Sequence, residues 1–533
     1  MKKEEQAYIR YTLNRSDARW ASAGEIKNSP TVTQVDIEGD DCPTGGLPVI
    51  SDGRSAYVDG SDTHTLIFGS TGSKKTRLFC MPLINILAMA GESFIATDPK
   101  GELHQKTSGL VEAKGYATYV LDFRDLTRSD YWNPLAVPYE LYHSGRTDEA
   151  ISFINDFISA LAEPQRSNTR DIYFIEMAVT HALANMLFFI ATAKPEEANI
   201  FNFVNFCTTK ATAKDAQALY ECLPKTSIAA VNYKAILANS EAEITFANIV
   251  STMGTMLNSF IMRKTLCQVL SQSSFDVREL GNTKTAIYII VPDEKTTLHF
   301  LVTAFIKQTY ETLINEAQQK EDKRLPVRLN FIMDEFCNIP AIPDMAPMIS
   351  AARSRNMRFF LIAQSMWQLR QKYREDADTI KSNCDNWVFL TSREVDLLDE
   401  ISRLCGSTQY SNADGSVSHH PLISVSELQR FKKEEGEALI LHGRHYPFVT
   451  NMPDIDDYAF LTYPPIDIST KTLPQIVPYN PDEAIGEIRA SKRPVPYSLE
   501  AYGELRFRNG KPVARDDDDD DYDNDDDDDG NEW

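Results

Sequence analysis

The chain has 533 residues, enough for a sizeable core and more than one structural unit. Hydrophobic residues at 42% and charged residues at 25% are ordinary for a soluble globular protein. The formal net charge is −23, but the twelve Asp and one Glu of residues 516–533 supply thirteen of those charges, which leaves −10 on the first 515 residues. A mildly acidic body argues against a DNA-coating surface, although net charge does not exclude a basic channel within an assembly. The eight cysteines lie far apart, with no C-x-x-C and no Cys/His cluster. That spacing argues against a zinc site or a disulfide framework and fits a reducing cytosolic setting.

In chain order, the N-terminal "MKKEEQAYIRYTLNRSDARW" has no apolar core and does not read as a signal peptide. Seven short β-branched or aromatic runs then read as buried parallel strands: "HTLIFG" (64–69), "SFIATD" (93–98), "ATYVLD" (117–122), "TAIYIIV" (285–291), "LNFIMD" (329–334), "RFFLIA" (358–363) and "NWVFL" (386–390). Helix-period segments such as 297–320 lie between them, so the expected class is α/β, a doubly wound, mainly parallel sheet covered on both faces. Residues 140–270 break the alternation with apolar residues at helical spacing only, which predicts an all-α insertion. Within it, "MAVTHALANMLFFIATA" (177–193) falls short of the ~20 apolar residues of a spanning helix and reads as a buried helix. The expected organisation is 1–139 as N-terminal segment and first part of a nucleotide-binding domain, 140–270 as the insertion, and 271–465 as the second part. Residues 466–515 form a Pro-rich extension, and 516–533 a disordered poly-Asp tail.

The segment "GSTGSKKT", Gly69 to Thr76, follows a strand and opens a helix, as a phosphate loop does. In such a loop the backbone N–H groups surround phosphate oxygens and the helix dipole adds positive potential. Gly69, Ser70, Thr71, Gly72, Ser73, Lys74, Lys75 and Thr76 are the candidate nucleotide contacts. Lys75 is expected on the β- and γ-phosphates and Thr76 on Mg²⁺. The pattern G-x-x-x-x-G-K-[ST] is broken at its second glycine, where Lys74 stands. The bland alternative is a Gly/Ser/Lys turn after a strand. A second element weighs against it: "RLNFIMDEF" is an apolar strand that ends in Asp334 and Glu335. The first acid suits the Mg²⁺ shell and the second can polarise an attacking water. In "SAARSRNMRFFLIAQS" a basic turn leads into a strand ending at Gln364, where open α/β sheets place ligands. Gln364 is a candidate γ-phosphate sensor. Arg353, Arg355 and Arg358 are arginine-finger candidates if the chain forms a ring, with a solvated basic turn as the alternative.

"DARWAS" (17–22), "ATDPKGEL" (96–103), "WNPL" (132–135), "SSFDVREL" (273–280), "YIIVPDE" (288–294), "FIMDEF" (331–336) and "ARSRNMRFFLIAQSMWQL" (352–369) together resemble the coupling proteins of type IV secretion systems, the TraG-type conjugative DNA-transfer ATPases. The resemblance runs from about residue 17 to about 460. It implies a RecA-like nucleotide-binding domain interrupted by an all-α domain, ATP with Mg²⁺, and a homo-hexameric ring on the cytoplasmic face of a bacterial membrane. It also implies single-stranded or duplex DNA, relaxase or effector proteins and secretion-channel components as partners. The best match to the family's finger region is Arg353, with Arg355 second; Asp98 and Lys100 match its "DPKGE" block. Two departures stand out: members usually carry N-terminal transmembrane helices, for which this sequence shows no candidate, and Lys74 interrupts the loop. A side chain in a left-handed position costs roughly 1–2 kcal/mol, so the expected result is slow ATP hydrolysis. The alternatives are a non-hydrolysing substrate receptor and a soluble hexameric DNA translocase outside secretion. The tail reads either as a solvated end or as a site for a basic partner.

Overall fold

The computed structural model describes residues 18–166, 172–240, 242–411 and 417–491, together with two short strands at 506–508 and 511–513. The poly-Asp tail lies outside the described residues. Three strands come first: β1 (Val32–Asp36), β2 (Leu47–Ser51) and β3 (Ser55–Asp59), which form a small antiparallel sheet in the order β1-β3-β2. The main sheet contains β4 (Thr65–Phe68), β5 (Ser93–Asp98), β6 (Ala117–Asp122), β7 (Thr285–Ile290), β8 (Leu329–Met333), β9 (Met357–Ala363) and β10 (Asn386–Phe389). After a hairpin of β11 (Ser407–Ser411) and β12 (Val417–Pro421), two further strands join it, β13 (Glu437–His442) and β14 (Phe448–Asn451). The order of the nine strands is β14-β13-β10-β4-β9-β8-β5-β7-β6.

The seven runs read as strands from the sequence are the seven mutually parallel strands, β10 to β6 in that order. Their continuous apolar character follows from burial on both faces. In β4, Leu66 and Phe68 pack into one core cluster and Ile67 into the other; in β5, Ile95 faces the first and Phe94 and Ala96 the second. The sequence reading did not include β13 and β14, which extend the sheet antiparallel from β10. It also missed β1–β3, which send Val32, Leu47 and Val49 into one core cluster and Val35, Ala56 and Val58 into another.

Between β6 and β7, residues 136–269 hold eight helices and, among the described residues, no strand. Helix Ile172–Thr192 is one of two helices long and apolar enough to cross a membrane by length and composition. It lies at the centre of the helical core, with Met186, Phe188 and Phe189 fully buried. The other, Glu243–Ile261, packs against it. The "WNPL" block ties the two regions together. Trp132 Nε1 donates to Gln308 Oε1 at 3.2 Å, and Asn133 Nδ2 donates to the Ala198 carbonyl at 2.8 Å.

The described part of the Pro-rich extension, residues 466–491, is tied along the body as a strap. Ile466 N donates to Ser108 Oγ, Lys471 N to the Thr127 carbonyl, and Tyr131 Oη to the Thr472 carbonyl. The strap then crosses to the helical region, where Asn202 Nδ2 donates to the Val477 carbonyl at 2.7 Å and Tyr479 packs edge-on to Phe189. It ends in helix Pro481–Ser491, whose Asp482 pairs with Lys210 at 2.5 Å.

Candidate nucleotide site

A parallel strand delivers its following loop to the carboxyl edge of the sheet, so β4, β5, β8, β9 and β10 all contribute there. The Gly69–Thr76 loop lies between the ends of β9 and β10. Gly69 N donates to the Ala363 carbonyl at 3.2 Å, and Ser70 N to the Thr391 carbonyl at 2.8 Å. Its curl needs two left-handed residues, Gly72 at φ +76° and Lys74 at φ +65°. Gly69 is fixed by space, since a Cβ there would stand 2.3 Å from Ser73 Oγ. Thr76–Cys80 forms a π-helical turn before helix Met81–Ala90. Pro82 at the start of that helix has no N–H to donate to the preceding turn, which favours the wider ring.

Inside the loop, Lys75 is buried, its Nζ donating to the Gly69 carbonyl at 2.7 Å and lying 3.7 Å from Glu335 Oε1. Thr76 Oγ1 donates to Asp334 Oδ2 at 2.9 Å, joining loop and acidic strand end. Burial pushes the Asp334 carboxyl up to about 6, with the Glu335 charge adding to the shift and the Thr76 hydroxyl and Lys75 opposing it. Thr97 Oγ1, at the end of β5, fixes the Asp334 carbonyl at 2.8 Å. Glu335 is itself left-handed, at φ +54°, a costly conformation outside glycine. Gln364 holds its carboxylate: Nε2 donates to Glu335 Oε2 at 2.7 Å, while Thr71 Oγ1 donates to Gln364 Oε1 at 3.3 Å. Lys74 turns away from this network and pairs with Glu434 at 3.1 Å.

The structure therefore brings together Lys75, Thr76, Asp334, Glu335, Gln364 and Thr71. It does not bring Arg353 or Arg355 to them. Both lie in the turn before β9, and Gln364 lies after it, so the seven-residue strand holds them about 20 Å apart, on opposite edges of the sheet. Arg353 pairs with Asp385 at 3.0 Å, and Arg355 Nη1 donates to Ser354 Oγ. The finger reading of Arg358 is corrected. Its guanidinium is buried, ion-paired with Glu92 at 2.5 Å and bonded to Asn330 Oδ1 and to the Gly45 and Ser61 carbonyls. It ties β8 and β9 to the linker before β4 and reaches no ligand. Asp98 caps helix Glu102–Ala113 through the His104 N–H at 2.9 Å, and Lys100 is exposed. Sequence reasoning missed Thr97, Thr391 and Glu434. Thr97 was open to inference as the residue at the end of a strand beside an acid; Glu434 carries no local signal.

The donor set suits a magnesium nucleotide. Ser73 Oγ is buried with no hydrogen-bond partner among the described residues, Gly72 faces open space, and a hydroxyl and a carboxylate meet where a hard cation needs oxygen ligands. Fold and site thus have the form of a P-loop nucleotide site on a mainly parallel α/β sheet. Residues 16–441 match the family model for type IV secretory system conjugative DNA transfer, and the chain belongs to that family. It is 23% identical over 467 residues to Protein VirD4 of Rhizobium radiobacter, covering 82% of this chain and 63% of that protein. The match to Protein VirD4 of Agrobacterium fabrum is 23% over 420 residues, 74% of this chain and 58% of that protein. The chain thus spans less than two thirds of the length of these relatives. The fold is similar to that of the bacterial conjugative coupling protein TrwBdeltaN70, with a TM-score of 0.56, 14% identity and coverage of 84% of this chain and 96% of that one. The plasmid coupling protein TrwB solved in complex with ADP and Mg²⁺ gives a TM-score of 0.55 at 13% identity, covering 82% and 94% of the two chains.

Proposed function

We propose that the chain is an ATP-driven coupling protein of a type IV secretion system, one that recruits DNA–protein or protein substrates and energises their transfer. The observation that carries the reading is the meeting of Lys75, Thr76, Asp334, Glu335 and Gln364 on one sheet edge in a member of the conjugative DNA-transfer family. Mg²⁺, when bound, supplies charge neutralisation at the phosphates. Lys75 leaves the Gly69 carbonyl for phosphate oxygens. The loop N–H groups and the Ser73 hydroxyl would accommodate phosphate, and Thr76 and Asp334 would hold the metal. Glu335 accepts the proton of the attacking water, and Gln364 keeps that carboxylate aimed.

Lys74 makes the hydrolysis slow, because its left-handed backbone is strained and its side chain is held by Glu434 rather than by the nucleotide. Arg353 and Arg355 lie too far from their own loop and act on that of a neighbouring copy in a homo-hexamer. The working location is the cytoplasmic face of a bacterial membrane, next to the secretion channel. The test is nucleotide binding and turnover by the full chain with and without Mg²⁺. Binding without turnover, unchanged by Glu335→Gln, would favour the receptor reading over the motor.

A further inference from the structure

Gln364, the residue that touches both the loop and Glu335, is followed after one serine by helix Met366–Tyr373. Met366, Leu369 and Tyr373 are buried and form its inward face. Trp367, Arg370, Gln371 and Arg374 are all exposed. Trp367, Arg370 and Gln371 recur at i, i+3 and i+4 and form one outward stripe, and Arg374, the left-handed residue that ends the helix at φ +51°, is exposed just beyond it. Trp367 is 62% exposed, unlike Trp132 and Trp387, which are buried. This exposure is not fraying. The Met366 and Trp367 N–H groups both donate to the Glu394 carboxylate, at 2.9 and 2.8 Å, and Ser365 Oγ accepts from Gln368 N at 3.1 Å. A fixed turn thus displays an indole in water, where a large apolar ring is normally buried. Glu394 belongs to the loop after β10, which also carries the exposed Arg393.

We infer that this stripe is a contact for single-stranded DNA, with Trp367 as the surface on which a base stacks and Arg370 and Arg374 as partners for the adjoining phosphates. An indole face accepts any unpaired base, and arginine both pairs with phosphate and lies flat on bases. The stripe contains no acid, and its charge complements a phosphodiester chain. Arg370 forms a loose ion pair with Glu400 at 3.7 Å and is half exposed, so a phosphate at the stripe would compete with that carboxylate for its guanidinium. Duplex DNA keeps its base faces stacked and offers the indole nothing equivalent. The inference deepens the coupling-protein reading and rests on it. It adds a route from cargo to chemistry, because a base on Trp367 bears on a backbone three residues from the amide that holds Glu335.

The test is fluorescence anisotropy with labelled (dT)30 and the full chain, read beside binding of a fluorescent ATP analogue. Trp367→Ala is expected to weaken (dT)30 binding by about five- to hundredfold, and Trp367→Phe, which keeps a π face, by no more than about threefold. Arg370→Gln is expected to lower the salt slope of binding by about 0.7. Wild-type affinity in Trp367→Ala overturns the inference, as does a wild-type chain that does not bind (dT)30. Loss confined to an unfolded polypeptide such as reduced casein overturns it too and reassigns the stripe to protein cargo. Failure of the wild type to bind the ATP analogue refutes the coupling-ATPase reading instead; intact nucleotide binding with DNA binding indifferent to Trp367 refutes only the stripe.

Discussion

Replacing Lys74 with glycine in one variant and with alanine in another separates backbone strain from charge in the phosphate loop. Lys74 is held at φ +65°, where a Cβ costs about 1–2 kcal/mol. Glycine removes that cost but adds about 0.4–1 kcal/mol of unfolded-state entropy relative to alanine. Both variants lose the pair with Glu434, which is 72% exposed and contributes about 1 kcal/mol at most, so this loss cancels between them. Lys74→Gly is therefore expected to be more stable than Lys74→Ala by up to about 1.6 kcal/mol, which thermal unfolding reads as a difference of up to about 3 °C. The same pair of variants tests the loop's chemistry. Steady-state ATP turnover is expected to rise in Lys74→Gly and to rise less in Lys74→Ala, which keeps the strained backbone. An alanine variant equal or superior to glycine in both stability and rate would refute the claim that position 74 needs a glycine-like backbone.

Glu335→Gln is expected to lower ATP turnover by about 10²–10⁴-fold while nucleotide binding persists, measured by phosphate release beside equilibrium titration. Arg358→Met removes the shorter of the two ion pairs of Glu92, which keeps Arg328 at 3.5 Å and the Asn330 and Gly45 donors, and is expected to cost about 1–3 kcal/mol in denaturant unfolding, part of it regained in the Arg358→Met/Glu92→Gln double variant. His181 is buried with no hydrogen-bond partner at either ring nitrogen among the described residues, and burial pushes its imidazole down to about 4. The unfolded chain takes up that proton near 6.5, so stability falls as pH drops from about 7 towards 4, by up to about 3 kcal/mol from this residue. His64 and His104 are also pushed down to about 4 by burial and act in the same direction. His181→Leu is expected to remove part of the acid sensitivity, read as a smaller difference in melting temperature between pH 7.5 and pH 5. Deleting residues 516–533 is expected to leave ATP turnover unchanged and to weaken capture of a basic substrate protein, read by pull-down.

The parallel sheet was legible because strands buried on both faces announce themselves as short apolar runs, as "TLIF" and "NWVF" do. The acidic pair and Gln364 were legible because a parallel strand must deliver its next residue to the ligand edge. β13 and β14 were harder: "EALILH" reads equally as a strand or a helix fragment, and its partner β10 lies about fifty residues away. Arg358 shows the limit of local reading. In sequence it belongs to a basic turn with Arg353 and Arg355, yet only the approach of Glu92, Asn330 and Gly45 makes it an internal tie. Lys74 is the converse case. The broken motif already marked a backbone position that requires a left-handed residue, and the folded chain keeps that conformation with lysine in place.

The most direct test is ATP hydrolysis by the full chain with Mg²⁺, measured without DNA, with single-stranded DNA and with duplex DNA, beside the mass of the particle in solution. The account predicts slow Mg²⁺-dependent turnover, abolished in Lys75→Ala, faster with single-stranded DNA, and highest where the mass corresponds to a ring. A chain that neither binds nor turns over ATP in any of these conditions, with Lys75→Ala indistinguishable from the wild type, would contradict it.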